Sequence, residues 1–480
     1  MSFQLSPDVD DNKIFLVNLS EVNERLDPNF IKKSRLLKSI LANSQFSFQE
    51  FGNYIKNIQY GISQISNTEQ KGIPMIRMNN LQGDEWNFLD LKNIELTSEE
   101  INLYRLNKGD LLFNRTNSKE LVGKCGVFRE EGDWVFASYL IRVQVDETRL
   151  LPDFVSTFLR LSVGRLQIDG LSRQIIGMTN INAEEIRSLQ IPSVPLSLQK
   201  QTVFRMDAAY DAKKQKEAEA QRLLDSIDDY LLSKLGINLQ EPEENTIQNR
   251  VFFCNLRSVV GRRFDPLYHS GNIYKFIESS SYSFEYISRL TVYMKTGFAS
   301  GKQDQSNDEQ DVIQIRSTNI SDEREFIFTR NVYIRKSELL NRKNDVLQIG
   351  EVLFNNTNSQ ELVGKSIFFD LDDSYFCSNH TTRIGVQQDR VDPQYLTHIL
   401  NLYQRKQVFF KICTNWNNQS GVNVNVLGQV KVPIPPLEKQ IEIVDRITTI
   451  RNQAKQLRQA AAAELERAKQ EVEAMILGES

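Results

Sequence analysis

Hydrophobic and polar positions follow two different periods along this 480-residue chain, and each period occurs twice. Over most of each half, short apolar runs stand between clusters of Gly, Asn and Asp. Val135-Phe136, Leu140-Ile141-Arg142-Val143 and Ser366-Ile367-Phe368-Phe369 are typical. Runs of this length bounded by turn residues predict short strands in mixed domains with curved, mainly antiparallel sheet. After a proline-rich turn in each half the spacing lengthens to alternating steps of three and four. Val203, Met206, Tyr210, Lys213, Glu217, Ala220, Leu224, Ile227 and Leu231 form one series. Ile443, Ile447, Ile450, Ala454, Leu457, Ala461, Glu464 and Ala468 form the other. This is heptad spacing, and it predicts two long helices able to pair as an antiparallel coiled coil. The alternative is that each helix packs only on its own domain. Lys213, Glu217 and Glu464 interrupt the stripes with charge, which costs stability but can fix register. The helices should stop at Gly236, after Lys234-Leu235, and at Gly478, after Ile476-Leu477, because glycine readily takes the left-handed conformation that ends a helix.

The recurrence is an internal repeat with a period of about 240 residues. Arg25-Leu26-Asp27-Pro28 matches Arg263-Phe264-Asp265-Pro266, and Ile76-Arg77-Met78-Asn79-Asn80 matches Ile315-Arg316-Ser317-Thr318-Asn319. The longest match pairs the run from Phe113 to Lys124, Phe-Asn-Arg-Thr-Asn-Ser-Lys-Glu-Leu-Val-Gly-Lys, with the run from Phe354 to Lys365, Phe-Asn-Asn-Thr-Asn-Ser-Gln-Glu-Leu-Val-Gly-Lys. Near the end of each half, Ile191-Pro192 leads to Leu198-Gln199-Lys200-Gln201, and Val432-Pro433 leads to Leu437-Glu438-Lys439-Gln440. The expected organisation is α/β (α+β): an N-terminal segment and first domain over 1–196, a long helix over 197–236, a linker and second domain over 237–433, and a C-terminal long helix over 434–480.

Composition narrows the chemistry. The four cysteines stand singly and there are only three histidines, so neither a disulfide framework nor a metal site is expected. No stretch approaches the ~20 apolar residues of a membrane span, and the first residues lack a secretory pattern, so a cytoplasmic protein is expected. The net charge of −4 weighs mildly against nucleic-acid binding, although a local basic surface can be hidden in the sum. Asp27-Pro28-Asn29-Phe30 and Asp265-Pro266-Leu267-Tyr268 resemble the tetrapeptide with which adenine methyltransferases orient the target base. Both lack its second proline, no glycine-rich cofactor turn accompanies them, and helix or turn starts are expected instead. Gly364-Lys365-Ser366 resembles the end of a phosphate-binding loop, but Ser359 stands where its first glycine belongs. No catalytic residue, metal or cofactor is therefore expected.

The strand-like Gly72-Ile73-Pro74-Met75-Ile76-Arg77, the Lys108-Gly109-Asp110-Leu111-Leu112-Phe113 run leading into the long repeat, and the Pro-Pro-Leu-x-x-Gln helix start at Gln440 carry a resemblance across both halves. The chain resembles the specificity subunit of type I restriction-modification systems. The resemblance implies that each domain reads one half of a bipartite, asymmetric site in double-stranded DNA. It further implies that the helices set the spacing, that two methyltransferase subunits dock on the helical region, and that restriction helicase-nuclease subunits join them. Methylation and cleavage would then reside in those partners. A structural coiled-coil adaptor that binds proteins is the alternative; a self-contained enzyme is a third reading, which the missing motifs disfavour.

Amides and guanidinium groups pair with base edges and phosphates, Asn favouring adenine and Arg guanine. The near-identity of the Asn-rich runs argues that Asn117 and Asn358 close turns rather than read different half-sites. Segments that differ between the halves are better readers: Gln64 to Lys71 against Ser300 to Asp311, and Arg173-Gln174 against Asn415-Trp416-Asn417-Asn418-Gln419. The candidate DNA-binding residues are Arg115, Arg173, Gln174, Asn415, Asn417 and Gln419, with Arg77, Lys124, Arg316 and Lys365 as phosphate contacts. The second half departs from the first at Asn356, in place of Arg115, and in the run Val346-Leu347-Gln348-Ile349-Gly350-Glu351 that leads into its strand.

Overall fold

The computed structural model describes residues 14–17, 27–64, 71–82, 85–118, 121–175, 178–237, 246–251, 253–260, 280–416 and 419–478, with backbone alone at 82, 85, 173–175, 178, 249, 250 and 258. Arg25-Leu26, Arg263 to Pro266 and Lys119-Glu120 lie outside the described residues. The chain divides into two compact units, one of 1–217 with 458–480 and the other of 218–457. Both boundaries fall inside the long helices Leu196–Leu235 and Leu437–Leu477 rather than at their starts.

The first unit is built on a four-stranded antiparallel sheet in the order Ile55–Tyr60, Leu140–Val145, Leu111–Asn114, Cys125–Val127. All four residues of Leu111–Asn114 are buried, as expected of an interior strand covered on both faces. The helix Pro152–Arg160 crosses one face and buries Phe154, Val155, Phe158 and Leu159 against it. A second sheet pairs Val135–Phe136 in parallel with Met75–Ile76, and Ile73–Met75 antiparallel with Lys92–Ile94. The domain's ends are clipped by Phe48–Glu50 against Gln190–Pro192. Asp27 starts the helix Pro28–Asn43, its carboxylate accepting from the backbone N–H of Asn29 (2.9 Å) and Phe30 (3.3 Å). That is capping chemistry, as expected of this Asp-Pro pair.

The second unit repeats the plan with Thr291–Thr296, Thr381–Val386, Val352–Asn355 and Ser366–Phe368 in the same order. Its side sheet runs Gln305–Ser306, Tyr333–Ile334, Val312–Ile315, Phe376–Cys377, and its clip is Phe284–Tyr286 against Lys431–Pro433.

The long helices complete both cores. In the first unit Met206 and Ala209 join Leu465, Ala468, Val472 and Ile476 in one apolar cluster; in the second, Ile227, Leu231 and Leu235 join Ile443, Ile447 and Ile450. The C-terminal stripe follows the predicted heptads. In the central helix the charged position shifts by one: Glu217 is exposed, and Lys216 faces in to pair with Glu464. The helices therefore pair with each other and pack on the domains as well. Gly236 and Gly478 end them at φ +64° and +73°. The Leu477 carbonyl is taken by the N–H of Gln45 and the hydroxyl of Ser44, and the Leu235 carbonyl by the N–H of Ser281 and the hydroxyl of Ser280. Each helix end is thus capped by the chain that begins the domain beside it.

The register of the repeat at the helix starts differs from the sequence match. Gln199, not Gln201, is the counterpart of Gln440. The side chain of Gln199 accepts from the Leu151 N–H and donates to the carbonyls of Arg149 and Val194; that of Gln440 accepts from the Asp392 N–H and donates to the carbonyls of Arg390 and Pro435. Each amide ties the helix start to the loop before the crossing helix, and both are buried.

A buried arginine and carboxylate sit under each main sheet. Arg383 makes a two-pronged pair with Glu351 (Nε to Oε1 3.1 Å and Oε2 3.0 Å, NH2 to Oε1 2.6 Å). Tyr293 donates to the same carboxylate, and burial together with that carboxylate pushes the Tyr293 hydroxyl up to about 12. Arg142 and Asp110 occupy the matching places at 3.5 Å, with the Gln144 amide donating to Asp110 (2.7 Å). The Gly350-Glu351 lead is therefore the working equivalent of Gly109-Asp110, although the residues before it differ.

Candidate nucleic-acid interface

Strand register fixes what gathers at one end of each main sheet. Tyr60 lies opposite Ile141 and Asn114 opposite Leu140, so the end of one strand, the start of the next and the end of the third meet there. The backbone of Arg115 then donates to the Tyr139 carbonyl (3.0 Å), and Thr116–Asn117 pairs with the hairpin strand Met178–Asn180, itself paired with Arg173–Ile175. Tyr60, Arg115, Tyr139 and the hairpin thus share one end of the sheet, and Gly61 to Gln64 continue from it. The Arg115 guanidinium lies 4.7 Å from the centre of the Tyr60 ring, and both tyrosines are exposed.

The second unit builds the same end from other residues. Thr296 lies opposite Thr382 and Asn355 opposite Thr381. Asn356 donates its N–H to the His380 carbonyl (3.0 Å), and Thr357–Asn358 pairs with Gln419–Gly421, whose partner is Thr414–Trp416. Thr296, Asn356 and His380 stand where Tyr60, Arg115 and Tyr139 stand in the first unit. Asn356 is buried and donates to the Asn379 carbonyl (3.2 Å) and the Thr382 hydroxyl (3.0 Å). Trp416 is exposed on the outer hairpin strand.

The conserved-looking run between the halves is scaffold. The Asn117 and Asn358 side chains each accept from the next residue's N–H at 2.8 Å, closing the turn. Val122 and Val363 are buried beyond it. Gly123 and Gly364 have φ of +70° and +95°, and a Cβ there would meet Ile168 at 2.4 Å and Phe409 at 2.2 Å. Only glycine fits that turn without strain. The Ile-Arg-x-x-Asn match is a loop anchor as well: Asn80 accepts from the Arg77 N–H and donates to the Asn87 carbonyl, and Asn319 does the same with Arg316 and Ile327.

The candidate residues therefore separate. Arg115 and the backbone of Arg173 and Gln174 come to the sheet end of the first unit, and Asn415 and Gln419 to that of the second; Asn417 lies outside the described residues, as do the side chains of Arg173 and Gln174. The side-chain amide oxygen of Asn415 accepts from the Ser420 hydroxyl (2.7 Å). Arg77 is half-buried and pairs with Asp90 (2.9 Å), whereas Arg316 is exposed. Lys124 lines a cavity of about 450 Å³ with Asn114, Asn117 and Asp90. Lys365 departs from the expectation of a phosphate contact: it is buried, and its ammonium is held by Asp322 at 2.5 Å. The ion pair with Asp322, not the solvent, takes up its charge. Tyr60, Tyr139, Thr296 and His380 were not among the expected residues. The signal available was an aromatic residue set directly before the loop-starting glycine in Tyr60-Gly61.

Among the described residues no group of side chains could hold a metal, and no helix is long and apolar enough to cross a membrane. The family model described as type I restriction modification DNA specificity domain matches residues 45–222 and 295–467. The chain is similar to the type I restriction enzyme EcoKI specificity subunit of Escherichia coli strain K12, with 25% identity over 171 residues, which are 35% of this chain and 37% of that protein. It is similar also to the StySPI specificity subunit of Salmonella potsdam, with 27% identity over 121 residues, 25% of this chain and 26% of that one. These matches span well under two thirds of either relative. One chain of a solved type I R-M system, studied for complex assembly and conformational transition, shares the fold with a TM-score of 0.53 at 13% identity, covering 91% of this chain and 98% of that chain.

Proposed function

The chain belongs to the type I restriction modification DNA specificity domain family, and from that premise we propose that it is the DNA-reading subunit of a restriction-modification complex, each unit reading one half of a split site. The observation that carries this is the contrast at the sheet ends: two frames that agree turn for turn present Tyr60, Arg115 and Tyr139 in one unit and Thr296, Asn356 and His380 in the other. Different donors and stacking surfaces on one frame suit two different half-sites. Arg115, Arg173 and Gln174 serve the first half-site; Asn415, Asn417 and Gln419 serve the second; exposed Arg316, together with Lys124 and Arg77, contributes phosphate contacts. The adaptor reading has no comparable support. Methylation and cleavage belong to two methyltransferase subunits and to restriction subunits bound alongside, and this subunit works in the cytoplasm without a cofactor.

Two domains on one spacer add their discrimination, at about 1–3 kcal/mol per good bidentate contact. Exchanging residues 30–191 for those of another family member, and reading methylation by the assembled complex over a DNA panel, should change one half-site alone. Changes in both halves would refute modular reading. The paired helices are proposed to set the gap. One added heptad between Ala212 and Ala220 lengthens a helix by about 10 Å, or at most about three base pairs, and keeps the stripe in register. A folded heptad variant that still prefers the original gap would show that the helices do not set it.

A further inference from the structure

The second unit contains a cavity of about 570 Å³ between the loop carrying Arg324, the helix Pro393–Arg405 and the C-terminal helix. Its lining gathers more positive than negative groups. Arg324, at φ +65°, is held by Asn401 (2.6 Å) and Gln404 (2.7 Å). Arg451 donates one NH to the Glu323 carbonyl (2.8 Å), but its Nε is buried without a partner. The Nε2 of His398 is likewise buried without one. Lys455 lines the same space and is exposed. Two carboxylates, Glu325 and Asp370, also line it; both are exposed, and among the described residues neither is in an ion pair. Arg405 is paired with Asp228, whereas Arg324 and Arg451 make no ion pair among the described residues, although Asp322 stands near the first and Glu323 and Glu325 near the second.

An unpaired buried donor costs about 1–3 kcal/mol, more when charged, and two such donors in one cavity are what a bound oxyanion would satisfy. Burial and the neighbouring arginines push Arg324 down to about 10 and His398 to about 3, the direction expected where positive charge is crowded. The first unit shows that the fold does not require this. At the matching positions it has Thr157 for His398, Arg160 for Asn401 and Tyr210 for Arg451. There Arg160 lies over the Tyr210 ring (5.7 Å) and donates to Ser156 (2.9 Å), so the space is filled by groups that satisfy one another.

We infer that this cavity is an oxyanion site for a phosphate group, as the free ion or as a monoester, with Arg451 Nε, His398 Nε2 and Lys455 as donors. The site is separate from the sheet ends and independent of their role in DNA reading. The chain has three histidines, so histidine-selective labelling yields few imidazole signals, and the His398→Thr variant identifies one of them. Inorganic phosphate titrated at constant ionic strength near neutral pH should move that signal saturably. Lys455→Ala, a change at an exposed position, should weaken binding about tenfold, and Arg451→Tyr should abolish it. Glycerol phosphate binding more tightly than the ion assigns the ester as the source, and weaker binding assigns the free ion. A signal that ignores phosphate, that responds equally to chloride, or that responds as before in Lys455→Ala would overturn the site.

Discussion

The buried arginine–carboxylate clusters and the sheet ends diverge between the units in opposite ways. Under the sheet, each substitution is answered by another. Glu351 is one methylene longer than Asp110 and reaches Arg383 with both oxygens; Tyr293 then lies over Gly385, where a Cβ would meet its ring at 2.4 Å. In the first unit shorter Asp110 leaves room that Gln144 fills, and Asn57, the counterpart of Tyr293, donates to Gln144 (3.2 Å). Three positions have changed together around an unchanged arginine, and the job is the same. At the sheet end, Tyr60, Arg115 and Tyr139 have become Thr296, Asn356 and His380; among the described residues no neighbour restores the guanidinium, and the exposed ring of the second unit, Trp416, comes from the hairpin instead. Compensated change marks a structural requirement; uncompensated change on the same frame marks the surface free to take a new partner.

The largest test of this contrast removes one charge under the sheet. Glu351→Gln leaves Arg383 buried without its counter-charge, and denaturant unfolding should show a loss of about 3–5 kcal/mol. Asp110→Asn should cost less: both arginines keep two backbone carbonyls, Arg142 those of Arg105 and Leu103 and Arg383 those of Asn344 and Val346, but Arg142 pairs with its carboxylate only at the longer distance of 3.5 Å. Glu351→Asp alone should destabilise the second unit, and adding Tyr293→Asn with Gly385→Gln should recover most of the loss, because residues in one network do not act additively. A triple variant no more stable than Glu351→Asp would show that the three positions are not coupled.

The sheet end should respond in binding rather than in folding. Arg115→Ala should weaken DNA binding by the assembled complex by about 1–3 kcal/mol if it reads a base edge, with sequence preference relaxed in one half-site. If it meets phosphate instead, binding should fall uniformly and the salt slope by about 0.9. Unfolding should change little in either case, because its guanidinium covers only the exposed Tyr60 ring. Lys365→Met is the matching control. Its charge is committed to Asp322, so DNA binding should hold while stability falls.

What the sequence disclosed and withheld follows the same division. The repeat, the helices and their stops were legible because periodicity and capping are local: the seam Ile443, Ile447, Ile450, Ala454 needs no tertiary information. Lys216 displaced Glu217 from the central seam because the choice between adjacent charges is made by the partner, Glu464, far away in sequence. Gln199 was paired with the wrong position for a related reason, since Leu-x-Lys-Gln reads well two residues out of step and only the Leu151 and Asp392 amides fix the register. The turn role of Asn117 and Asn358 was legible from turn chemistry. That Tyr60, Arg115 and Tyr139 meet was not, because strand register brings them together across about eighty residues of chain.

The smallest expected difference between the units is in their response to acid. His398 lies behind the C-terminal helix with its Nε2 buried, and burial followed by Arg451 and Arg405 lowers it from the ordinary 6.5 to about 3. Its folded form therefore stays neutral over a range in which the unfolded chain binds a proton. Stability from this source is complete above about 6.5 and declines as pH falls toward about 3, by at most about 1.4 kcal/mol per pH unit for one proton. Thr157, its counterpart in the first unit, cannot titrate. Amide exchange measured separately in the helices Pro393–Arg405 and Pro152–Arg160 should accordingly show Pro393–Arg405 losing protection in mild acid before Pro152–Arg160, by this one-proton slope. His398→Thr should remove the difference, and phosphate, by holding the imidazole, should shift it toward lower pH. Equal acid sensitivity of the two helices in the unmodified chain would mean that His398 is reached by solvent and its burial is not what separates the units.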